Sequence, residues 1–83
     1  MNLKHLRVFC QIVDSGSANL AAEKLHIAAT AVSMQMSNLE ESLGGKLFDR
    51  STRPMSLTTL GQYIYPKAKE LLSNARQMEN EAK

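Results

Sequence analysis

The apolar positions of this chain fall into blocks whose period changes from one block to the next. After Asn2, a side chain suited to capping, Leu3, Leu6, Phe9, Cys10 and Val13 recur at spacings of three and four with Ile12 alongside. That predicts a first helix with one apolar face. Asp14-Ser15-Gly16-Ser17 ends it. Ser17 is placed to cap a second, short helix built on Leu20, Ala21, Ala22 and Leu25, whose two alanines let another helix approach closely. His26 and Ile27 form a brief connection to a third helix, predicted from about Ala29 to Leu43. There Val32, Met36, Leu39 and Leu43 repeat at four, three and four, and Gly44-Gly45 supplies a left-handed stop.

The period changes again in LFDRSTRPMSLT, where Leu47 and Phe48 precede a polar turn and Met55 and Leu57 follow it. This reads as a small hairpin, kept short and peripheral by Pro54, which cannot donate to a central ladder. Thr58 then caps a last helix running to the C-terminus, with Gly61 an unusual interior residue that marks close packing against the hairpin. Along this helix Ile64, Ala68, Leu71, Ala75, Met78 and Ala82 recur at four, three, four, three and four. Such a heptad-like seam suits pairing with a second helix, and some 25 residues of helix extend about 37 Å, further than so small a domain covers. Pro66 predicts a bend near Gln62.

Two short helices with a brief connection, followed by a hairpin, give a helix-turn-helix with a wing. Stepping 100° per residue along the third helix groups Val32, Met36, Leu39 and Leu43 on one side and Thr30, Ser33, Met34, Ser37 and Glu41 around the other. That outward side is compact and mostly neutral, as a helix must be to enter a major groove about 12 Å wide. Thr30, Ser33, Ser37 and the flanking Gln35 and Asn38 can pair with base edges or phosphates; ordinary solvent-facing residues would look the same. Arg50 and Arg53 stand at the shoulders of the hairpin, where a guanidinium can reach a phosphate or a narrow minor groove. The alternative for Arg50 is a surface ion pair with Asp49.

Composition narrows the classes. At 83 residues the chain is one domain, and 43% apolar with 22% charged residues is the balance of a globular protein. A core this small leans on a partner chain. The net charge of +2 is uninformative, but its distribution is not. Lys46, Arg50, Arg53, Lys67 and Lys69 face only Asp49 between positions 46 and 69, while acidic residues prevail on either side. Concentrated positive charge is what a polyanion-binding edge requires, although a solvated loop can share it. Cys10 alone makes no internal disulfide or cysteine-rich zinc site, and its place on an apolar face predicts a buried, inert thiol. His5 and His26 are far apart, and no acidic pair has a spacing that suits a metal or general acid–base chemistry. No catalytic residue, metal or cofactor is therefore expected. No stretch approaches the length of a membrane span and no cleavable leader pattern opens the chain, so a cytoplasmic protein without a membrane partner is expected.

These residues resemble the N-terminal DNA-binding domain of the LysR-type transcriptional regulators over nearly the whole chain. The resemblance is carried by Ala21-Ala22 with Leu25, Ala31-Val32-Ser33 with Gln35, Leu39-Glu40, Leu43-Gly44, Leu47-Phe48 with Arg50 and Arg53, and Leu57-Thr58 with Gly61. It implies a mainly α fold, a winged helix-turn-helix of three helices and a short β-hairpin over 1–58, then a long C-terminal linker helix over 59–83. It also implies a sequence-specific bacterial regulator that binds a partly palindromic site on double-stranded DNA as a dimer. The third helix would lie in the major groove and the wing on the backbone or minor groove. Ala29, Thr30, Ser33, Met34, Gln35, Ser37, Arg50 and Arg53 are the implied DNA contacts, and Ile64, Ala68, Leu71, Ala75 and Met78 the implied homodimer seam. Higher oligomers and a small-molecule inducer belong, on the family pattern, to an effector-binding domain outside this chain. The family usually opens its recognition helix with serine or threonine, then glutamine and proline, and often has arginine four residues after the last of these. Here Ala28, Ala29, Thr30 and Met34 stand instead. The bland helix face and modest charge leave a second reading open, a winged-helix module that antagonises relatives by forming heterodimers.

Overall fold

A computed structural model describes residues 1–52 and 54–82. Its elements are α1 (Leu3–Ser15), α2 (Ala18–Leu25), α3 (Ala29–Leu43), β1 (Phe48–Asp49), β2 (Ser56–Leu57) and α4 (Thr59–Glu81). The strands pair antiparallel, Phe48 opposite Leu57 and Asp49 opposite Ser56. This is the winged helix-turn-helix with a trailing helix that the sequence predicts. Local chemistry sets most boundaries. The Asn2 side chain accepts the Lys4 amide at 2.7 Å, Ser17 accepts the Leu20 amide at 3.1 Å, and Thr58 accepts the Gly61 amide at 3.0 Å. Each satisfies an amide that the first turn leaves without a partner. Gly44 closes α3 at φ 78°, a left-handed conformation that glycine adopts without strain, whereas His26 closes α2 at φ 57° with a side chain in place.

The core forms where α1, α3, the wing and α4 converge on Phe9, which is wholly buried. Its ring meets Phe48 of β1 edge-on at 5.5 Å and Tyr65 of α4 at 6.3 Å. Val32, Met36 and Leu39 of α3 and Ala21 and Ala22 of α2 are buried in the same cluster. Each large apolar side chain buried this way contributes about 1.5–3 kcal/mol. Ala68 is 2% exposed, and Ile64 and Leu72 pack against the same cluster. From Leu60 to Leu72, α4 is thus a core helix on its inner face. It runs on through Pro66, whose nitrogen has no hydrogen to offer the Gln62 carbonyl. Cys10 is buried in α1, and desolvation pushes its thiol up despite the attraction of Lys69, as the sequence predicts for an inert thiol.

Leu47 seats the wing. Its side chain is fully buried, its amide donates to the Glu40 carboxylate at 2.8 Å, and its carbonyl accepts the Thr58 amide at 3.0 Å. The Thr58 hydroxyl also donates to the Lys46 carbonyl at 2.6 Å. On the remaining side stands Gly61, where an added Cβ would lie 2.3 Å from the Leu47 carbonyl oxygen. The wing therefore rests backbone to backbone on α4.

A polar cluster fixes α4 against α1 on the other side. Tyr65 Oη donates to Asp14 Oδ1, and Lys69 Nζ donates to Oδ2 while lying 5.5 Å from the Tyr65 ring centroid. Partial burial pushes the Asp14 carboxyl up, but the hydrogen bonds from Lys69 and Tyr65 outweigh it and hold it below the usual carboxylate range. The same hydrogen bonds raise Tyr65 and Lys69.

Two outcomes follow from these contacts. Gly61→Ala forces the wing off its seat and is expected to lower stability by about 1–3 kcal/mol in urea denaturation. A depressed carboxyl stabilises above its unfolded pKa and loses that contribution as pH falls through the folded value; raised tyrosine and lysine groups lose theirs as pH rises through their folded values. The stability gap between wild type and Asp14→Asn should therefore stay level from about pH 5 to 9 and narrow on both sides, read as urea midpoints against pH.

Candidate nucleic-acid interface

α3 divides cleanly into two sides. Val32, Met36 and Leu39 are buried, while Ala29, Thr30, Ser33, Met34, Ser37, Asn38 and Glu41 are exposed. At 100° per residue, Ala29, Ser33, Ser37, Thr30, Glu41 and Met34 fill an arc of about 140° on the outer side. Gln35, expected among the DNA contacts, turns away from that arc toward the flank beside Leu39. It is half-buried, and its Oε1 is shielded from solvent with no hydrogen-bond partner among the described residues. Ala28 caps α3 without a side-chain hydrogen bond, and Thr30 lies within the helix instead of starting it. The backbone bonds Ala31 N–H and Val32 N–H to the Ala28 carbonyl, at 3.0 and 3.2 Å, open the helix unaided.

The wing stands beside this arc. Ser37 and Glu40 of α3 line one groove together with Lys46, Phe48, Asp49, Arg50 and Thr58. α3 and the base of the wing therefore face a common space. Arg50 is exposed and has no ion-pair partner among the described residues. Its neighbour Asp49 is engaged elsewhere, accepting the Ser51 hydroxyl at 2.6 Å and the Ser51 amide at 2.9 Å. Those bonds, the hydroxyl foremost, hold the Asp49 carboxyl below its ordinary range and fold the wing tip into an Asx turn. The surface pair between Arg50 and Asp49 is not formed. Arg53 lies outside the described residues.

Glu40 and Lys46, which the sequence pattern alone does not mark as site residues, join the two parts of the site. Glu40 is only 6% exposed, and besides the Leu47 amide it meets Lys46 Nζ at 3.8 Å. The available signal was positional: by helical angle Glu40 falls between buried Met36 and Ser33, and a carboxylate there needs donors. Lys46 keeps its side chain 80% exposed and so holds its charge at the groove.

The seam residues of α4 separate along the helix. Ile64 and Ala68 face the chain's own core and Ala75 is half-buried, whereas Leu71 is 41% and Met78 69% exposed. The molecule extends 44 Å along its longest axis. Among the described residues no three histidine, cysteine or acidic side chains gather where a metal could bind, and no helix is long and apolar enough to cross a membrane.

Two variants test this geometry. Ala28→Ser places a hydroxyl at an extended N-cap and is expected to add about 0.5–2 kcal/mol of stability by thermal denaturation. Glu40→Ala strands the Leu47 amide and should remove about 1–3 kcal/mol, with Glu40→Gln, which keeps a carbonyl acceptor, losing clearly less.

Known proteins share this arrangement. A family model described as "Bacterial regulatory helix-turn-helix protein, lysR family" matches residues 3–62. The chain is 46% identical over 78 residues to the HTH-type transcriptional regulator BenM of Acinetobacter baylyi, covering 94% of this chain and 26% of BenM. It is 42% identical over 80 residues to the HTH-type transcriptional regulator CrgA of Neisseria meningitidis, covering 96% of this chain and 27% of CrgA. The chain thus spans about a quarter of the length of the curated relatives it matches. Among solved structures, the BenM_DBD/benA site 1 DNA complex superposes with a TM-score of 0.93 at 44% identity, covering 99% of this chain and 95% of that one. A CbnR_DBD–DNA complex gives 0.91 at 29% identity, covering 99% and 94%. With the family model matching residues 3–62 and BenM 46% identical over 78 residues, the chain belongs to the LysR family of bacterial regulatory helix-turn-helix proteins.

Proposed function

We propose that this chain is the DNA-binding part of a transcriptional regulator, and that it binds a partly palindromic double-stranded site as a homodimer in the bacterial cytoplasm. The observation that carries this reading is the shared groove. Ser37 of the outer arc of α3 and the cations Lys46 and Arg50 line it together. A helix in the major groove beside a wing on the adjacent backbone needs that juxtaposition. The relatives described as transcriptional regulators and the solved complexes of BenM_DBD and CbnR_DBD with DNA support the same reading.

Ala29, Thr30, Ser33, Met34 and Ser37 are the side chains proposed to face base edges, with Arg50 and Arg53 on phosphate or the minor groove. Gln35 drops from the contact set because its amide oxygen is turned inward. A second copy of this chain is the proposed partner for the far part of α4, where Leu71 and Met78 stand exposed beyond the core. Ile64 and Ala68 support that pairing only indirectly, by fixing the first half of α4 to its own domain. Any inducer acts, on this proposal, through a part of the regulator outside this chain.

Fluorescence-anisotropy titration of a randomised duplex pool at several salt concentrations tests the DNA reading. Affinity should fall steeply with salt, by about 0.9 in log-log slope for each neutralised phosphate, and a flat response would contradict it. Arg50→Ala should weaken all sequences alike and reduce the slope by about 1, whereas Ser33→Ala should alter sequence preference. The double variant Leu71→Glu, Met78→Glu should shift sedimentation from dimer to monomer and weaken DNA binding. A wild-type protein that stays monomeric at every concentration would contradict the pairing.

A further inference from the structure

The outer arc of α3 lacks the usual hydrogen-bonding readers of purines. From Ala28 to Gly45 there is no lysine, arginine or histidine, so nothing on this helix can make the bidentate contact to guanine N7 and O6. The amide of Gln35 has its oxygen buried, which removes the two-point contact to adenine. Asn38 sits in the third turn at the rim of the arc, while such helices read bases with their N-terminal residues. Glu41 is exposed one turn later, where its charge repels phosphates and favours docking by the opposite end of the helix.

What this end presents is apolar. Met34 is 62% exposed, and Thr30, one turn before it on the same face, is exposed with its methyl group, as is Ala29. Ser33 between them adds a hydroxyl that pairs with either base. The C5-methyl of thymine is the apolar group that an unmodified base pair offers in the major groove. A flexible thioether chain flanked by two small methyl-bearing residues is well shaped to cover it.

We infer that Met34, with Thr30 and Ala29, reads pyrimidine C5-methyl groups in the major groove, thymine being their source, so that half-site preference rests on apolar contact in place of hydrogen bonding to purines. The inference depends on the DNA-binding reading above and deepens it. Orientation and affinity come from Arg50 and Lys46 on the backbone, and discrimination comes from the methyl groups with the Ser33 hydroxyl beside them.

The test selects tight binders from the randomised duplex pool and remakes them with deoxyuridine in place of individual thymines. Each methyl that the helix covers should be worth about fourfold in affinity, with the salt slope unchanged. Duplexes with 5-methylcytosine at such a position should bind tighter than those with cytosine, which separates the methyl from the rest of thymine. Met34→Ala, a change at an exposed position whose folding is checked by circular dichroism, should bring the thymine-to-uracil ratio toward one. Equal affinity for thymine and uracil duplexes at every position, or a ratio untouched by Met34→Ala, would overturn the inference and leave the DNA-binding reading standing. Failure to bind any duplex at low salt would instead overturn that reading and this inference with it.

Discussion

The backbone of one residue, Leu47, sets the relation between the two halves of the proposed DNA-binding face. Its amide is held by a carboxylate from α3, its carbonyl by an amide at the start of α4, and its side chain by the core. Gly61 completes the seat by presenting no side chain at all. None of these contacts is strong alone, since a net hydrogen bond contributes only about 0.5–1.5 kcal/mol. Together they leave the wing one position relative to the recognition helix, because moving it breaks several buried contacts at once. On the proposed reading, the two elements that would meet a double helix are thereby placed before any DNA arrives, and binding would not have to order them.

α4 serves two environments along one continuous rod. Its first half packs Ile64 and Ala68 into the domain and is latched to α1 through Asp14, Tyr65 and Lys69. Its second half leaves Leu71 and Met78 in solvent. The apolar positions follow one regular period in the sequence, but the domain ends before the helix does. The latch then determines the direction in which the exposed half projects, and so the separation at which a second copy would hold its own recognition helix.

The order of elements and most of their ends were legible in the sequence because caps, glycine stops and apolar period agree locally. Asn2, Ser17 and Thr58 all cap as their residue types predict, and Gly61 marks the close approach that its oddity in a helix suggested. What pattern alone could not divide was the α4 seam, since periodicity does not say whether the neighbour is the same chain or another. Gln35 has base-pairing chemistry and a position the family resemblance implies as a DNA contact, while its angle on the helix turns it to the flank with its Oε1 buried. Glu40 stands in the sequence only as part of the family-like Leu39-Glu40 pair, whereas in the fold it carries the contact between α3 and the wing. The functional face was legible as residue types, and its assembly became visible only through tertiary contacts.

Amide chemical-shift mapping of the isotopically labelled chain, titrated with a short duplex at low salt, tests the central claim most directly. Shifts concentrated together on the outer arc of α3 and on residues 46–57, with the buried Leu47 amide still protected from exchange, are the predicted result. Perturbations confined to α4, or no perturbation of α3 at saturating duplex, would contradict a pre-set face built from the recognition helix and the wing.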